Sequence, residues 1–361
     1  MSDRSAWLME AFVAQYTVAQ VGLGNRGITH LDGFIRNSDR FQVVAVCDLV
    51  EQKRREAAER FGVAHTYADA RQMLADVRPD VFCFVTQPDV RLSMVELAAE
   101  YGVRALAFEK PMATSLSEAW RVTHLCNQAG IKAVVCHQHK YLTSFQKLRE
   151  LLDAGEVGQV SEIHATCQAY LQQLGTHYMD YIIWANGGAR GLWAVGHIHG
   201  RGHLADSHPS PDYLMGQVAF ENGVRGIIEC GLPSPSHMDP SMFWTDNRLT
   251  VRGTYGYAWA DTNGRWGAFC RSSKGEVIGG AGDPWAVQEQ ERLQVLYLRD
   301  LADWLDDDAK PHPCRLELAY HGYEILEAMC LSALDHVKVT LPILDPASSP
   351  DIVERMHSEL P

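Results

Sequence analysis

The run Val18-Ala-Gln-Val-Gly22-Leu-Gly24-Asn25-Arg26-Gly27 sets three glycines in GxGxxG spacing directly behind a short apolar segment. Glycines so placed let the backbone turn tightly and approach a pyrophosphate, which then sits at the positive end of the following helix. Asp48 stands 21 positions beyond Gly27 and closes the next apolar run. A carboxylate there accepts hydrogen bonds from an adenosine ribose 2′-hydroxyl and repels a 2′-phosphate, so the pattern predicts NAD rather than NADP. Further on, Ala107-Phe-Glu109-Lys110-Pro111 ends another apolar run. A lysine at that place is either a solvated strand-end charge or an active-site cation, and the residues alone leave both readings open.

Each of these groups needs a strand that ends beside it. From Tyr16 to Cys136, short apolar, β-branched runs alternate with amphipathic stretches, the pattern of parallel βαβ units. Strands are predicted at 17–21, 43–47, 81–85, 105–108 and 132–135. Helices are predicted at 51–61, 91–101 and 115–129, the last opened by Ser115 and Glu118 in capping-box spacing. The pattern is that of an α/β chain with an N-terminal Rossmann doubly wound parallel sheet over residues 1–137. Residues 138–361 read as a C-terminal α/β domain with a large, mostly antiparallel open sheet. Its strands are predicted at 161–167, 192–199, 213–220, 224–229 and 248–251, with a hairpin turn at Glu221-Asn222-Gly223. Its helices are predicted at 145–154, about 174–185, 285–307 and 315–336.

Composition narrows the function classes. At 361 residues and 46% hydrophobic, the chain has room for two cores. Thirty-two Lys and Arg against 45 Asp and Glu leave a charge of −13, which disfavours nucleic acid and anionic membranes as partners. The nine cysteines are scattered without a CxxC pair, fit neither a zinc ribbon nor a disulfide framework, and predict a reducing cytoplasm. Arg4 precedes an apolar stretch that Glu10 and Gln15 interrupt, with no evident cleavage site, so neither a leader nor a membrane span is expected.

GxGxxG, the acidic residue, then Glu-Lys-Pro at this distance resembles the glucose-fructose oxidoreductase, inositol dehydrogenase and MocA (Gfo/Idh/MocA) family. Lys140-Tyr141, Gly155 to Val160, Gly175-Thr-His177-Tyr-Met-Asp180, Val251-Arg-Gly253-Thr-Tyr-Gly256 and Ser332 to Pro342 resemble it as well. The resemblance implies a hydride transfer between NAD and a secondary carbinol of a sugar, glycoside or cyclitol, by a homodimer or homotetramer. It also implies Lys110 and His177 as catalytic residues, with Lys110, Lys140, Gln173, His177 and Asp180 at the substrate. Gly22, Gly24, Asn25, Arg26, Gly27, Asp48, Thr86, Gln87, Pro88, Glu109 and Lys110 would then contact the cofactor. An imidazole near neutral pKa is suited to accept the hydroxyl proton, and an ammonium to stabilise charge developing on the carbinol oxygen. A core histidine on an amphipathic helix is the alternative for His177.

Several positions depart from the family pattern. Gln173 stands where a carboxylate would partner His177, the glycine-rich lead-in to that helix is missing, Thr86-Gln87-Pro88 replaces Thr-Pro, and Arg91 occupies a place where histidine is common. Such changes keep two alternatives open: a glycoside-cleaving enzyme that uses bound NAD through a transient keto intermediate, and a non-catalytic regulator that binds NAD and sugar. His197 and His199, with His203 and His208 nearby, lack a carboxylate or cysteine to complete a compact metal set, and no metal is expected. Tryptophans such as Trp184, Trp193, Trp244, Trp259, Trp266 and Trp285 are either core filler or faces for a sugar ring.

Overall fold

The computed structural model describes residues 14–237 and 244–360, so the reading of the first residues as no leader lies largely outside it. Six parallel strands form the first sheet: β1 (Tyr16–Val21), β2 (Phe41–Cys47), β3 (His65–Tyr67), β4 (Val81–Phe84), β5 (Ala105–Phe108) and β6 (Lys132–Val135). Their order, β3-β2-β1-β4-β5-β6, reverses between β1 and β4. At that reversal the helices leave to opposite faces and open a crevice beyond the carboxyl ends of the strands. Every residue of β4 (VFCF) and β5 (ALAF) is buried, as expected for strands covered on both faces. The crossovers are α1 (Asn25–Arg36), α2 (Glu51–Phe61), α3 (Ala70–Val77), α4 (Arg91–Glu100) and α5 (Leu116–Ala129). Ser115 caps α5 by accepting from Glu118 N at 3.3 Å, while the Glu118 carboxylate reaches Thr114 N at 2.7 Å.

After β6 come α6 (Thr143–Asp153), β7 (Val160–Cys167), α7 (Thr176–Ala185), β8 (Gly191–His199), β9 (Tyr213–Phe220) and β10 (Arg225–Cys230). Then follow β11 (Asn247–Gly253), β12 (Gly256–Asp261), β13 (Arg265–Phe269), β14 (Ile278–Ala281), α8 (Trp285–Gln288), α9 (Gln294–Asp306), α10 (Leu316–Asp335), β15 (Val339–Thr340) and α11 (Ile352–Glu359). The second sheet has nine strands in the order β14-β13-β12-β11-β7-β10-β9-β8-β15. Only β7 and β10 pair in parallel, so the sheet is mostly antiparallel as the sequence implied. The predicted hairpin closes β9 to β10, with Gly223 at φ +83°. One face is covered by α7 and α10. The approach of α10 is so close that a Cβ on Gly196 would lie 2.3 Å from the Met329 carbonyl oxygen, which explains glycine in the middle of a strand.

Two helices depart from expectation in the same way. The predicted 285–307 helix is interrupted by a π-type turn over Glu289–Leu293, and α7 is preceded by another over Leu171–Gly175. Both turns border the site described below, where such bulges re-aim side chains. Strands β3 and β12 to β15 escape a reading by apolar runs, since β3 is largely exposed and β14 reads Ile-Gly-Gly-Ala.

The late helices also return to the first sheet. Arg40 meets Asp303 at 2.6 Å and Asp306 at 2.5 Å on α9, Tyr16 donates to Asp306 at 2.6 Å, and Asn37 donates to the Val295 carbonyl at 2.9 Å. Arg315 bridges to Val134 and so covers part of the edge strand β6. Among the described residues no helix is long and apolar enough to cross a membrane.

Candidate functional site

A cavity of about 1190 Å³ runs along the carboxyl ends of the first sheet, from Asp48 past the glycine turn to Lys110. Gly22, at φ +88°, lies where a Cβ would sit 2.2 Å from the Val85 carbonyl oxygen, and a Cβ on Gly27 would meet the Gly22 carbonyl at 2.0 Å. Gly24 has nothing within 4 Å of its Cβ position, leaving the backbone open to a ligand at the start of α1. Asp48 accepts from Leu23 N at 2.8 Å and Val50 N at 2.9 Å, which ties β2 to the glycine turn while the carboxylate remains on the cavity wall. Asn25, Arg26, Thr86 and Gln87 line the same wall, and the buried Thr86 hydroxyl has no partner among the described residues; Pro88 is buried and does not line the cavity. Open glycine backbone, a ribose-facing carboxylate and an orphaned hydroxyl fit a dinucleotide.

The inner end of the cavity is built on charge. Glu109 is buried and accepts from Arg26 Nε at 3.0 Å, Arg26 Nη2 at 2.9 Å and His30 Nε2 at 3.0 Å. Burial alone would raise its pKa, yet Arg26, then His30 and Lys110, hold the carboxyl well below the usual range. Arg26 also pairs with Glu289 on the π turn after α8. His30, Glu109 and Cys136 place ligand-type atoms within 4.8 Å of one another. The Arg26 guanidinium already takes the place a cation would fill there. Lys110 donates to the Gln173 carbonyl oxygen at 2.7 Å. Burial lowers its pKa; Glu109 opposes this, and Arg26 and Arg91 add to it.

Behind Lys110 lies a histidine cluster. The His177 ring stands 4.8 Å from that of His137 and 5.1 Å from that of His139, and its Nδ1 is 2.8 Å from the Tyr181 hydroxyl. Burial first, then His137, His139 and Lys110, push the His177 pKa well below the ordinary imidazole value. Lys140 Nζ lies 2.5 Å from Asp180 Oδ2, and His137 Nδ1 lies 3.2 Å from the same oxygen.

The structure therefore brings Gly22, Gly24, Asn25, Arg26, Gly27, Asp48, Thr86, Gln87, Glu109 and Lys110 onto one cavity. His177, Lys140 and Asp180 sit in the buried layer next to it; Lys140 and Asp180 are 1% and 0% exposed and face each other. Gln173 presents its backbone carbonyl to Lys110, while its side chain turns back to Tyr170 N at 3.4 Å. Glu289 and His30 carried no local signal, because each becomes a site residue only through Arg26 or Glu109, far away in sequence. His137 and His139 had one: they follow the carboxyl end of β6, three positions and one position before Lys140. The exposed His197 and His199 lie on β8, and His203 pairs with Asp206 at 2.9 Å.

Sheet order, glycine turn and acidic residue define residues 16–137 as a dinucleotide-binding Rossmann unit. Residues 16–137 match the GFO_IDH_MocA model, described as the oxidoreductase family with an NAD-binding Rossmann fold. A D-apiose dehydrogenase of Paraburkholderia graminis is 27% identical over 62% of this chain and 62% of its own length. One from Rhizobium rhizogenes is 29% identical over 32% of this chain and 34% of its own length. The chain thus spans less than two thirds of these two curated relatives. A myo-inositol 2-dehydrogenase of Thermotoga maritima is 21% identical over 68% of this chain and 75% of its own. Among solved structures, a levoglucosan dehydrogenase in complex with NADH and L-sorbose superposes with a TM-score of 0.77 at 15% identity, covering 92% of this chain and 100% of the other.

Proposed function

We propose that the protein is an NAD-dependent oxidoreductase that moves a hydride between the nicotinamide and a secondary carbinol of a sugar, glycoside or cyclitol. The observation that carries this reading is Lys110, a half-buried amine at the inner end of the cavity that begins at the glycine turn. NAD, when bound, supplies the hydride acceptor. Lys110, as the neutral amine that its lowered pKa favours, takes the hydroxyl proton, and the ammonium so formed stabilises the negative charge left on the carbinol oxygen as the hydride departs. His177 and His139 form a neutral, desolvated wall behind that oxygen, with the His139 pKa pushed down to about 3 by burial and by Lys110. Following NADH absorbance with a panel of polyols, sugars and glycosides tests the assignment. Stoichiometric NADH with at least one of them is the expected result, and substrate cleavage without net NADH would replace it by the glycosidase reading.

Residues 1–137 serve the cofactor and residues 138–361 the substrate and self-association in this reading. The open face of the second sheet, where Met215 is exposed, receives another copy in a homodimer or homotetramer. All nine cysteines are buried free thiols, which suits a reducing cytoplasm. NAD is expected to bind about tenfold or more tightly than NADP, because a 2′-phosphate would meet Asp48. Calorimetry checks this: Asp48→Ala should narrow the gap, and equal affinities in the unmodified protein would refute it.

A further inference from the structure

Arg91, at the start of α4, is only 2% exposed, yet most of its guanidinium is unmet. Nη2 donates to the Thr86 carbonyl oxygen at 2.9 Å, whereas the buried Nε and Nη1 have no partner among the described residues. A buried charge with open donors is costly, and a folded protein retains one where a ligand completes it. Arg91 lines the cavity together with Lys110, Glu109 and His208.

Of the other charges there, Arg26 and Glu109 are matched, and Lys110 donates to the Gln173 carbonyl oxygen. Arg26 is held between Glu109 and Glu289, and Glu109 also receives His30. Asp89, Glu109 and Glu118 act on Arg91 through space, but none appears among its hydrogen-bond or ion-pair partners. The glycine turn already serves a pyrophosphate, so the charge left to answer belongs to the other ligand of this cavity.

From this geometry we infer that the substrate carries a carboxylate, as in a uronate or an aldonate, which Arg91 binds while Lys110 takes the carbinol oxygen. The inference rests on the dehydrogenase reading above. One anionic group matches one unpaired guanidinium, and the single N–H of Nε with the two of Nη1 suits carboxylate oxygens. A neutral sugar offers these donors only hydroxyl oxygens and no charge to answer the guanidinium, and charge-assisted hydrogen bonds are roughly twice as strong as neutral ones.

The test uses the NAD-loaded protein with D-glucuronate, D-galacturonate and D-gluconate against D-glucose, D-galactose and D-glucitol, and with glucose 6-phosphate. At least one acid should exceed its neutral counterpart about tenfold or more in kcat/KM. Arg91→Gln should erase that preference by raising KM for the acid, with kcat and NAD affinity changing less than about threefold, and Arg91→Lys should restore part of it. Equal use of the neutral sugars, preference for the phosphate, or loss of NAD affinity in Arg91→Gln would overturn the carboxylate site and leave the dehydrogenase reading standing. A thermal shift with the acids that Arg91→Gln loses, without NADH formation, would keep the site and sink the dehydrogenase reading. Neither shift nor turnover would overturn the inference.

Discussion

Replacing Lys110 by alanine is expected to lower turnover by roughly a hundredfold to a thousandfold while NAD affinity stays within about twofold. The amine is the one cation at the inner end of the cavity whose hydrogen bond goes to a carbonyl oxygen of the turn that leads into α7. Losing it leaves the developing alkoxide without a donor but does not touch the glycine turn. The pH profile sharpens the test. Burial lowers the Lys110 pKa, so the neutral amine forms at lower pH than for a lysine in water. If that amine takes the proton, oxidation rises as pH climbs through the lowered value, and the limb is absent from Lys110→Ala. His177 stays neutral across the working range because burial and its cationic and imidazole neighbours hold its pKa well below the usual one. A limb near pH 6.5, about the free imidazole value, that vanished in His177→Ala would therefore reassign the base.

Glu109→Gln is expected to destabilise the fold by about 3 kcal/mol, measured by denaturant unfolding. Removing one member of a buried charge set leaves the others uncompensated; the figure is taken at the low end because the Arg26 side chain is 36% exposed and partly screened. Arg26 and His30 both meet the one oxygen Oε1, so an amide oxygen there keeps an acceptor but removes the charge. His30 is neutral, since burial lowers its pKa, and Gln294 Nε2 lies 2.9 Å from its Nδ1, which fixes the proton on the nitrogen facing Glu109. The folded Glu109 carboxyl is held well below its unfolded value of about 4.3, so its contribution is complete above that pH and is lost as pH falls through the folded value. The gap between the two proteins should accordingly be constant near neutrality and close in acid; a gap unchanged at low pH would show that packing, not charge, is lost.

Much of the first sheet was legible because β4 and β5 are buried on both faces and read as unbroken apolar runs ending at Thr86 and Glu109. The glycine turn was legible for a related reason, since backbone contacts at Gly22 and Gly27 admit no side chain. What escaped was set by distant pairing. Glu289 reaches Arg26 across 263 residues, and nothing local marks it. Lys140, Asp180 and His177 were found through resemblance, yet only packing shows that the first two neutralise each other while the third stacks on His139. At Gln173 the residue type misled in a different way, because the group that meets Lys110 is the backbone, which any residue carries.

The clasp of α9 on the first sheet has a thermodynamic side. Arg40 to Asp303 and Asp306, Tyr16 to Asp306 and Asn37 to Val295 join residues some 260 to 290 positions apart, so the first sheet cannot open at this edge without releasing α9. Cofactor held at the glycine turn then steadies α9, far along the chain, as well. At a hundred times its Kd it adds about 2.7 kcal/mol to one shared unfolding equilibrium, and the whole chain melts later in a single step.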